Sequence, residues 1–223
     1  MHLQSFLDQN CSPLQALFLH FNVKPTPYEG TGPVGETFDM QVLRDAHMPT
    51  HVLAVLQSGP AGNQVQTAKP PTMLPIDATR FDQGFRIDLG IPLAPPGTPS
   101  PVPFTSPTTG ALMVTLPVVH VTVPHIASLP LLLLFAMQLE TQYTLLSFNL
   151  LPVSVVEEFP NAPAMSSILA RCPEDKFDRY YYHNQGIWKN ILSLGVNDNN
   201  IYNVVQTAWN VTADARRLRA RHR

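Results

Sequence analysis

The chain has 223 residues, of which 44% are hydrophobic and 13% are charged. This balance allows a sizeable core and excludes a solvated, disordered chain. The formal net charge of -2 excludes a global electrostatic attraction to nucleic acid. The two cysteines, Cys11 and Cys172, form no CxxC pair, which is typical of a protein in a reduced intracellular compartment.

The N-terminus lacks the basic start and long apolar run of a signal peptide, so the sequence predicts no export. The most apolar run, Leu129 to Leu139, is about 11 residues long, whereas a bilayer span needs about 20. It therefore predicts a buried helix. We expect a location in the nucleus and/or cytoplasm and no membrane partner.

Proline divides the first half of the chain and predicts its organisation. Residues 1–37 are expected to form an N-terminal helix and an extended arm, with Ser12 as the N-cap and Pro13 at the first helical position. Residues 38–223 are expected to form a single α+β domain. A Pro-rich segment at 92–107 predicts a long loop within that domain.

Two segments that follow the arm are predicted to be helical. A short helix is expected at Asp39 to Ala46, because Pro49 disfavours a longer one. The apolar run from His51 to Gln57 fits either a strand or a helix, and we favour a helix. Such short apolar runs are ambiguous from periodicity alone.

Strand signals dominate the middle of the chain. Phe85 to Leu89 alternates apolar and polar side chains, which predicts a half-buried strand. Leu112–Leu116 and Val118–Val123 are rich in β-branched residues and predict two further strands. Pro117 between them indicates an edge strand or a bulge. Together these segments predict a small antiparallel sheet.

The C-terminal half is predicted to be mainly helical, from its caps and its 3.6-residue periodicity. The expected helices begin at Ser128, Thr144, Asn161, Pro173 and Asp198. The fold class is therefore α+β, with a small antiparallel sheet in the middle of the chain packed against a mainly helical C-terminal half.

No motif for a nucleophile, a phosphate-binding loop or a metalloprotease occurs, so we expect no catalytic residues, no metal and no cofactor. Prolines interrupt both close histidine pairs, and we expect the tyrosine-rich segment at 180–184, Trp188 and Trp209 to pack the core. An enzyme of unrecognised type with a His/Tyr-containing pocket remains an alternative. Convergence of His120, His125 and His183 with an acid would favour it.

The C-terminus is strongly basic and has several interpretations. Arginines occupy five of the last eight positions, namely Arg216, Arg217, Arg219, Arg221 and Arg223. They could complement the dipole of a C-terminal helix. They could equally form a nuclear-import signal or a phosphate-contacting patch. Direct DNA binding through this tail is a further alternative function.

Several unusual phrases occur in the second half, namely Val123–Phe135, Leu151–Pro160, Asn184–Gly195 and Val205–Val211. Together they resemble the clampless-type proteins of basidiomycete fungi. The resemblance covers about residues 111–223 and has weak support from Val42 to Ser58. The first and third phrases are also similar, more distantly, to fungal BTB/POZ-related proteins.

The resemblance implies a non-enzymatic protein-interaction role in fungal sexual development, in the formation of clamp cells and the dikaryon. Its implied partners are transcription regulators, and its implied place of action is the nucleus. The POZ-like resemblance implies a small sheet beside a helical cluster, and it suggests homodimerisation by analogy alone. The clampless-type family offers no catalytic residues to transfer to this chain.

Overall fold

The computed structural model describes residues 5–7, 11–30, 32–44, 46–59, 70–91 and 101–221. Helices and strands both occur before residue 124, and the described residues after it form helices without further strands. The elements are α1 (Pro13–His20), β1 (Thr37–Gln41), β2 (His51–Gln57), β3 (Thr72–Ile76), α2 (Ala78–Gly84), β4 (Phe104–Thr105), β5 (Leu112–Val123), a 3₁₀ turn (Ile126–Ser128), α3 (Leu129–Ala136), α4 (Tyr143–Leu150), α5 (Val153–Val156), α6 (Ala162–Ala170), α7 (Glu174–Leu194) and α8 (Asn199–Arg221). The α+β class is confirmed.

The sheet is mixed, so the expectation of a purely antiparallel sheet is wrong. Its order is β1-β5-β2-β3, with β4 paired to β5. The pairs β1–β5, β4–β5 and β2–β3 are antiparallel, whereas β2 and β5 are parallel, with Val52 opposite Val118. A parallel pair needs a long crossover, and the chain between β2 and β5 supplies it.

The two strand signals around Pro117 form one continuous strand, β5, at the centre of the sheet. Pro117 lies neither in an edge strand nor at a bulge, the two positions predicted for it. Pro117 lies opposite Thr37 in the last pair of the β1 ladder, and the β2 ladder begins at Val118. The missing N–H of proline therefore falls at the boundary between two ladders.

Three predictions for the first half were wrong. Asp39 to Ala46 is no helix, because β1 runs through Gln41 and pairs with β5. His51–Gln57 is the strand β2, lying between β5 and β3, so both edges of its apolar run are hydrogen-bonded. Phe85 to Leu89 is not a strand, because only Phe85 makes an isolated bridge, to Val196.

Helix α3 occupies the centre of the fold. All eight of its residues are buried, which explains the most apolar run of the chain. It packs against α1, α2 and α7. A Cβ atom at Gly84 would lie 2.3 Å from the carbonyl oxygen of Ala136, so only glycine lets α2 approach α3 this closely.

The predicted capping of α1 is confirmed. Ser12 Oγ accepts a hydrogen bond from the backbone N–H of Gln15, whose side chain returns to the Ser12 backbone N–H. Phe21, just beyond the helix, is fully buried with Leu17. This helix packs on α3, while the division of the chain at residue 37 stays a prediction. Of the Pro-rich loop, positions 92–100 lie outside the described residues.

The helical half follows the predicted caps and periodicity closely. The five predicted helices correspond to α3, α4, α6, α7 and α8, although α3 ends at Ala136 and the short helix α5 was missed. Asn161 Oδ1 accepts from the Ala164 N–H, and Gly195 ends α7 with a φ of 66°. Among the described residues, no helix is long and apolar enough to cross a membrane.

Candidate functional site

A hydrogen-bonded joint attaches α7 to the segment that follows β5. Asn190 on α7 is fully buried, and its side chain uses both its acceptor and its donors. Its Oδ1 accepts from the His125 N–H at 3.0 Å, and its Nδ2 donates to the His125 carbonyl at 2.7 Å and to Ser128 Oγ at 3.2 Å. The joint therefore fixes the backbone of His125 against α7.

The imidazole of His125 lies directly on the backbone of α7. Its Nδ1 is 2.9 Å from Ser128 Oγ. A Cβ atom at Gly186 would lie 2.2 Å from this Nδ1, so glycine leaves the space that the ring occupies. Two phrases of the family resemblance, Val123–Phe135 and Asn184–Gly195, thus meet at one contact.

A second buried asparagine joins α7 to α4 and α8. Asn184 is fully buried, and its Nδ2 donates to the Leu150 carbonyl at 3.0 Å and to Thr212 Oγ1 at 2.9 Å. The Thr212 hydroxyl donates in turn to the Ala208 carbonyl at 2.6 Å. These hydrogen bonds of the buried Nδ2 connect the three helices, while Asn184 Oδ1 has no partner among the described residues.

These joints place a cleft of about 600 Å³ on one face of α7. The N-terminus of α1, the end of α4 and the segment after β5 complete its walls. Its lining residues are Pro13, His125, Phe148, Asn149, Lys176, Arg179, Tyr180, Tyr182 and His183. We call this site the α7 cleft.

The α7 cleft is basic. Lys176 and Arg179 are both exposed, and neither has a hydrogen bond or ion pair with another described residue. No carboxylate is among the described residues that line the cleft. Burial, followed by the charge of Lys189, lowers the pKa of His125, so at neutral pH the positive charge comes from the lysine and the arginine.

The convergence that would favour an enzyme is incomplete. His125 and His183 approach, with ring centroids 6.4 Å apart, but His120 is exposed on β5 and does not line the cleft. In the described part of the chain, no group of three or more histidine, cysteine, aspartate or glutamate side chains could hold a metal. His47 stacks on Phe21 instead.

The buried side chain of His183 leads us to expect that the fold loses stability in acid. Its Nε2 is buried without a hydrogen-bond partner among the described residues, and burial, followed by His125, lowers its pKa to about 4. The unfolded chain takes up this proton near pH 6.5, so stability falls as pH drops from about 6.5 towards 4. At pH 5 the loss from this group is about 2 kcal/mol.

Denaturant unfolding at pH 7.5 and pH 5.0 measures this effect. His183→Leu should remove about 2 kcal/mol of the pH dependence, because leucine has no proton to gain. Asn149→Ala, an uncharged position in the same cleft, should keep the wild-type dependence. An unchanged pH dependence in the His183 variant would contradict the assignment.

The polar-aromatic segment at 180–184 is divided between core and surface. Tyr181 and Asn184 are buried, whereas Tyr182 is 61% exposed at the rim of the α7 cleft. Trp209 packs on Tyr181 with ring centroids 5.5 Å apart, and Trp188 packs on Tyr202 at 5.3 Å. Both tryptophans pack against the core, as expected.

The arginine tail continues α8, and its members have different surroundings. Arg219 donates to the carbonyls of Ala170 and Cys172 at 2.8 and 2.7 Å, and it lies 4.7 Å above the Phe177 ring. Arg216 lies 4.3 Å above the Tyr181 ring. Both arginines therefore fasten α8 to its neighbours.

Two further tail arginines, Arg217 and Arg221, are exposed on α8. Arg217 pairs with Asp214 at 2.8 Å on an exposed face of α8. Arg221 is exposed, and Arg223 lies outside the described residues. A nuclear-import or phosphate-contacting role stays a prediction, and within the described chain Arg217 and Arg221 are the tail arginines most accessible for it.

Arg219 should be structurally important although it lies in the basic tail. Arg219→Ala leaves two carbonyls at the end of α6 without this donor, so we expect a loss of about 1–3 kcal/mol in the free energy of unfolding. Arg217→Ala removes only an exposed pair and should change it by less than about 0.5 kcal/mol. Urea denaturation of both variants checks this, and equal losses would show that Arg219 has no special role.

Sequence reasoning missed the α7 cleft, although a signal for it was present. Lys176, Arg179, Tyr180 and His183 have the i, i+3, i+4, i+7 spacing of a single helical face. The apolar side chains of α7 indicated packing in the core instead. Phe148 and Pro13 could not have been predicted as lining residues, because they reach the cleft only through the packing of α4 and α1.

The described residues define an α+β protein whose helical half presents a basic, aromatic cleft. The family model of the Clampless protein 1 C-terminal domain matches residues 144–223, from α4 to the C-terminus. This match confirms the predicted resemblance to the clampless-type family over that region, while the Val123–Phe135 phrase lies outside it. The BTB/POZ-like resemblance receives no support from the match.

Neither the curated proteins nor the solved structures compared with this chain include a match.

Proposed function

We propose that this protein is a non-enzymatic regulator of fungal sexual development, acting in the formation of clamp cells and the dikaryon. The observation that carries the proposal is the match of residues 144–223 to the Clampless protein 1 C-terminal domain. The clampless-type resemblance of the longer region, about 111–223, supports the same role. It acts by binding transcription regulators in the nucleus.

The surface of the helical half supports a binding role. Large apolar side chains are exposed there, including Phe159 at 66%, Leu192 at 63% and Tyr182 at 61%. These side chains are available for burial against a partner protein. The buried joints at Asn184 and Asn190 attach α7, which carries Tyr182 and Leu192, to its neighbours, and a preorganised surface lowers the entropic cost of binding.

Complementation tests the developmental role. The full chain is expressed in a basidiomycete strain that lacks its own clampless-type protein, and clamp cells are counted microscopically. We expect restored clamp cells in the presence of the chain and none with an empty vector. A well-expressed chain that restores none would overturn the developmental proposal.

Co-purification tests the partner class. The tagged full chain is cross-linked and recovered from dikaryotic cells, with the tag alone as control. We expect a transcription regulator to be enriched, together with nuclear localisation of the tagged chain. Recovery of chaperones only would count against binding of transcription regulators.

Direct DNA binding is separable from this proposal. Arg217→Gln/Arg221→Gln removes two exposed charges of the tail and leaves Arg216 and Arg219 in their structural contacts. Under the present proposal, retention on a DNA column is weak and similar for the variant and the wild type. A strong, salt-sensitive retention that the variant loses would favour the DNA-binding alternative.

A further inference from the structure

We propose that the α7 cleft binds an acidic segment of a partner protein in which carboxylates alternate with large apolar side chains. This inference rests on the proposed function, because it identifies the surface and the partner chemistry for that function. It depends on the charge, the lining and the size of the cleft.

The charge of the cleft selects an acidic partner. Lys176 and Arg179 are one helical turn apart on α7 and have no ion-pair partner among the described residues. Glu174 and Asp178 of the same helix line a neighbouring groove, which shares Tyr182 with the cleft, and Asp175 lines neither. A carboxylate entering the cleft therefore meets two free cations and no described like charge in its lining.

The apolar part of the lining favours a partner segment that carries large apolar side chains as well as carboxylates. Phe148 is 43% exposed and Tyr182 is 61% exposed, and both line the cleft with Tyr180. Exposed aromatic rings beside cations are the usual anchors of peptide-binding surfaces. A purely charged ligand such as inorganic phosphate would leave these rings in water.

The cleft is larger than a single small ion needs. A volume of about 600 Å³ is comparable to sites that enclose ligands of about 300–1,000 Å³. It accommodates several side chains.

Segments in which acidic and hydrophobic residues alternate are typical of transcriptional activation domains. The chemistry of the cleft therefore agrees with a regulator of transcription as the partner. Arg179 can make a bidentate pair with a carboxylate, whereas Lys176 supplies a point charge. Phe148 and Tyr182 then receive the apolar residues between the acids.

The direct test uses the full chain and a fluorescein-labelled synthetic peptide in which glutamate alternates with leucine and phenylalanine. We expect saturable binding measured by fluorescence anisotropy, weakened by salt, with amide shifts at α7 and the end of α4 in NMR spectra. A glutamate–serine peptide of equal charge should bind at least about tenfold more weakly, because it lacks the apolar contacts.

Charge variants locate the site. Lys176→Glu/Arg179→Glu should weaken peptide binding by about tenfold or more. Arg44→Glu/Arg171→Glu, which makes the same charge change at exposed positions outside the cleft, should change it less than about threefold. Lys176→Gln/Arg179→Gln provides a milder second variant, and circular dichroism verifies that each variant is folded.

Several outcomes would overturn the inference. They are no binding of the peptide, equal weakening by both charge-reversed pairs, and full competition by inorganic phosphate or by single-stranded DNA. The two proposals fail separately. If the wild type and the cleft variant recover the same regulator from dikaryotic cells, the cleft assignment fails and the function stands. If the peptide binds at the cleft but no regulator is recovered, the proposed function fails.

Discussion

Asn190→Ala is expected to lower the free energy of unfolding by about 3 kcal/mol, because it removes three hydrogen bonds of a fully buried side chain. The N–H and carbonyl of His125 would then be left without these partners. Alanine is too small to fill the space, so a cavity adds to the cost.

Urea denaturation monitored by circular dichroism measures the loss, and hydrogen exchange at the His125 amide locates it. Asn203→Ala is the matched control, since it replaces an exposed asparagine on α8 and should change stability by less than about 0.5 kcal/mol. A loss below about 1 kcal/mol for Asn190→Ala would show that the joint contributes little to the fold.

Gly186→Ala is expected to destabilise the protein by about 2 kcal/mol, although glycine-to-alanine changes inside helices ordinarily stabilise by up to about 1 kcal/mol. The new Cβ would lie 2.2 Å from Nδ1 and 2.4 Å from Cγ of His125. The ring cannot move away without breaking its contact with Ser128, 2.9 Å from Nδ1.

A double-mutant cycle distinguishes this clash from any general effect on α7. In the His125→Ala background the ring is absent, so Gly186→Ala should become stabilising by about 1 kcal/mol. The sign of the change therefore depends on the residue at 125. If Gly186→Ala has the same sign in both backgrounds, the close approach of the ring to the helix is not what requires glycine.

The helical half was predicted well because helix caps and helical periodicity depend on residues that are close together in the sequence. The cap at Asn161, the stop at Gly195 and the periodicity of α7 and α8 all depend on neighbouring residues. Clampless-type phrases in the same region were confirmed from residue 144 onwards by the family match. The family resemblance, rather than any catalytic motif, directed the functional proposal.

The strands were predicted less well because pairing in a sheet is not local. The apolar run of β2 is compatible with a helix until β5 and β3 supply hydrogen bonds on both sides. Phe85 to Leu89 alternates like a strand but finds no partner strand: Phe85 makes an isolated bridge to Val196, and the next two N–H groups bond to carbonyls at the end of α7. Charge and β-branching at these positions contain no information on which segment will lie alongside.

The sequence by itself determined the α+β class, the ends of the long helices and the likeness to the clampless-type family. Each of these depends on residues close together in the chain, where caps and periodic burial act. Tertiary structure alone decided the mixed sheet, the joint of Asn190 with His125, and the α7 cleft. In these features residues distant in sequence are brought together, since buried polar groups must find partners and large side chains must share one core.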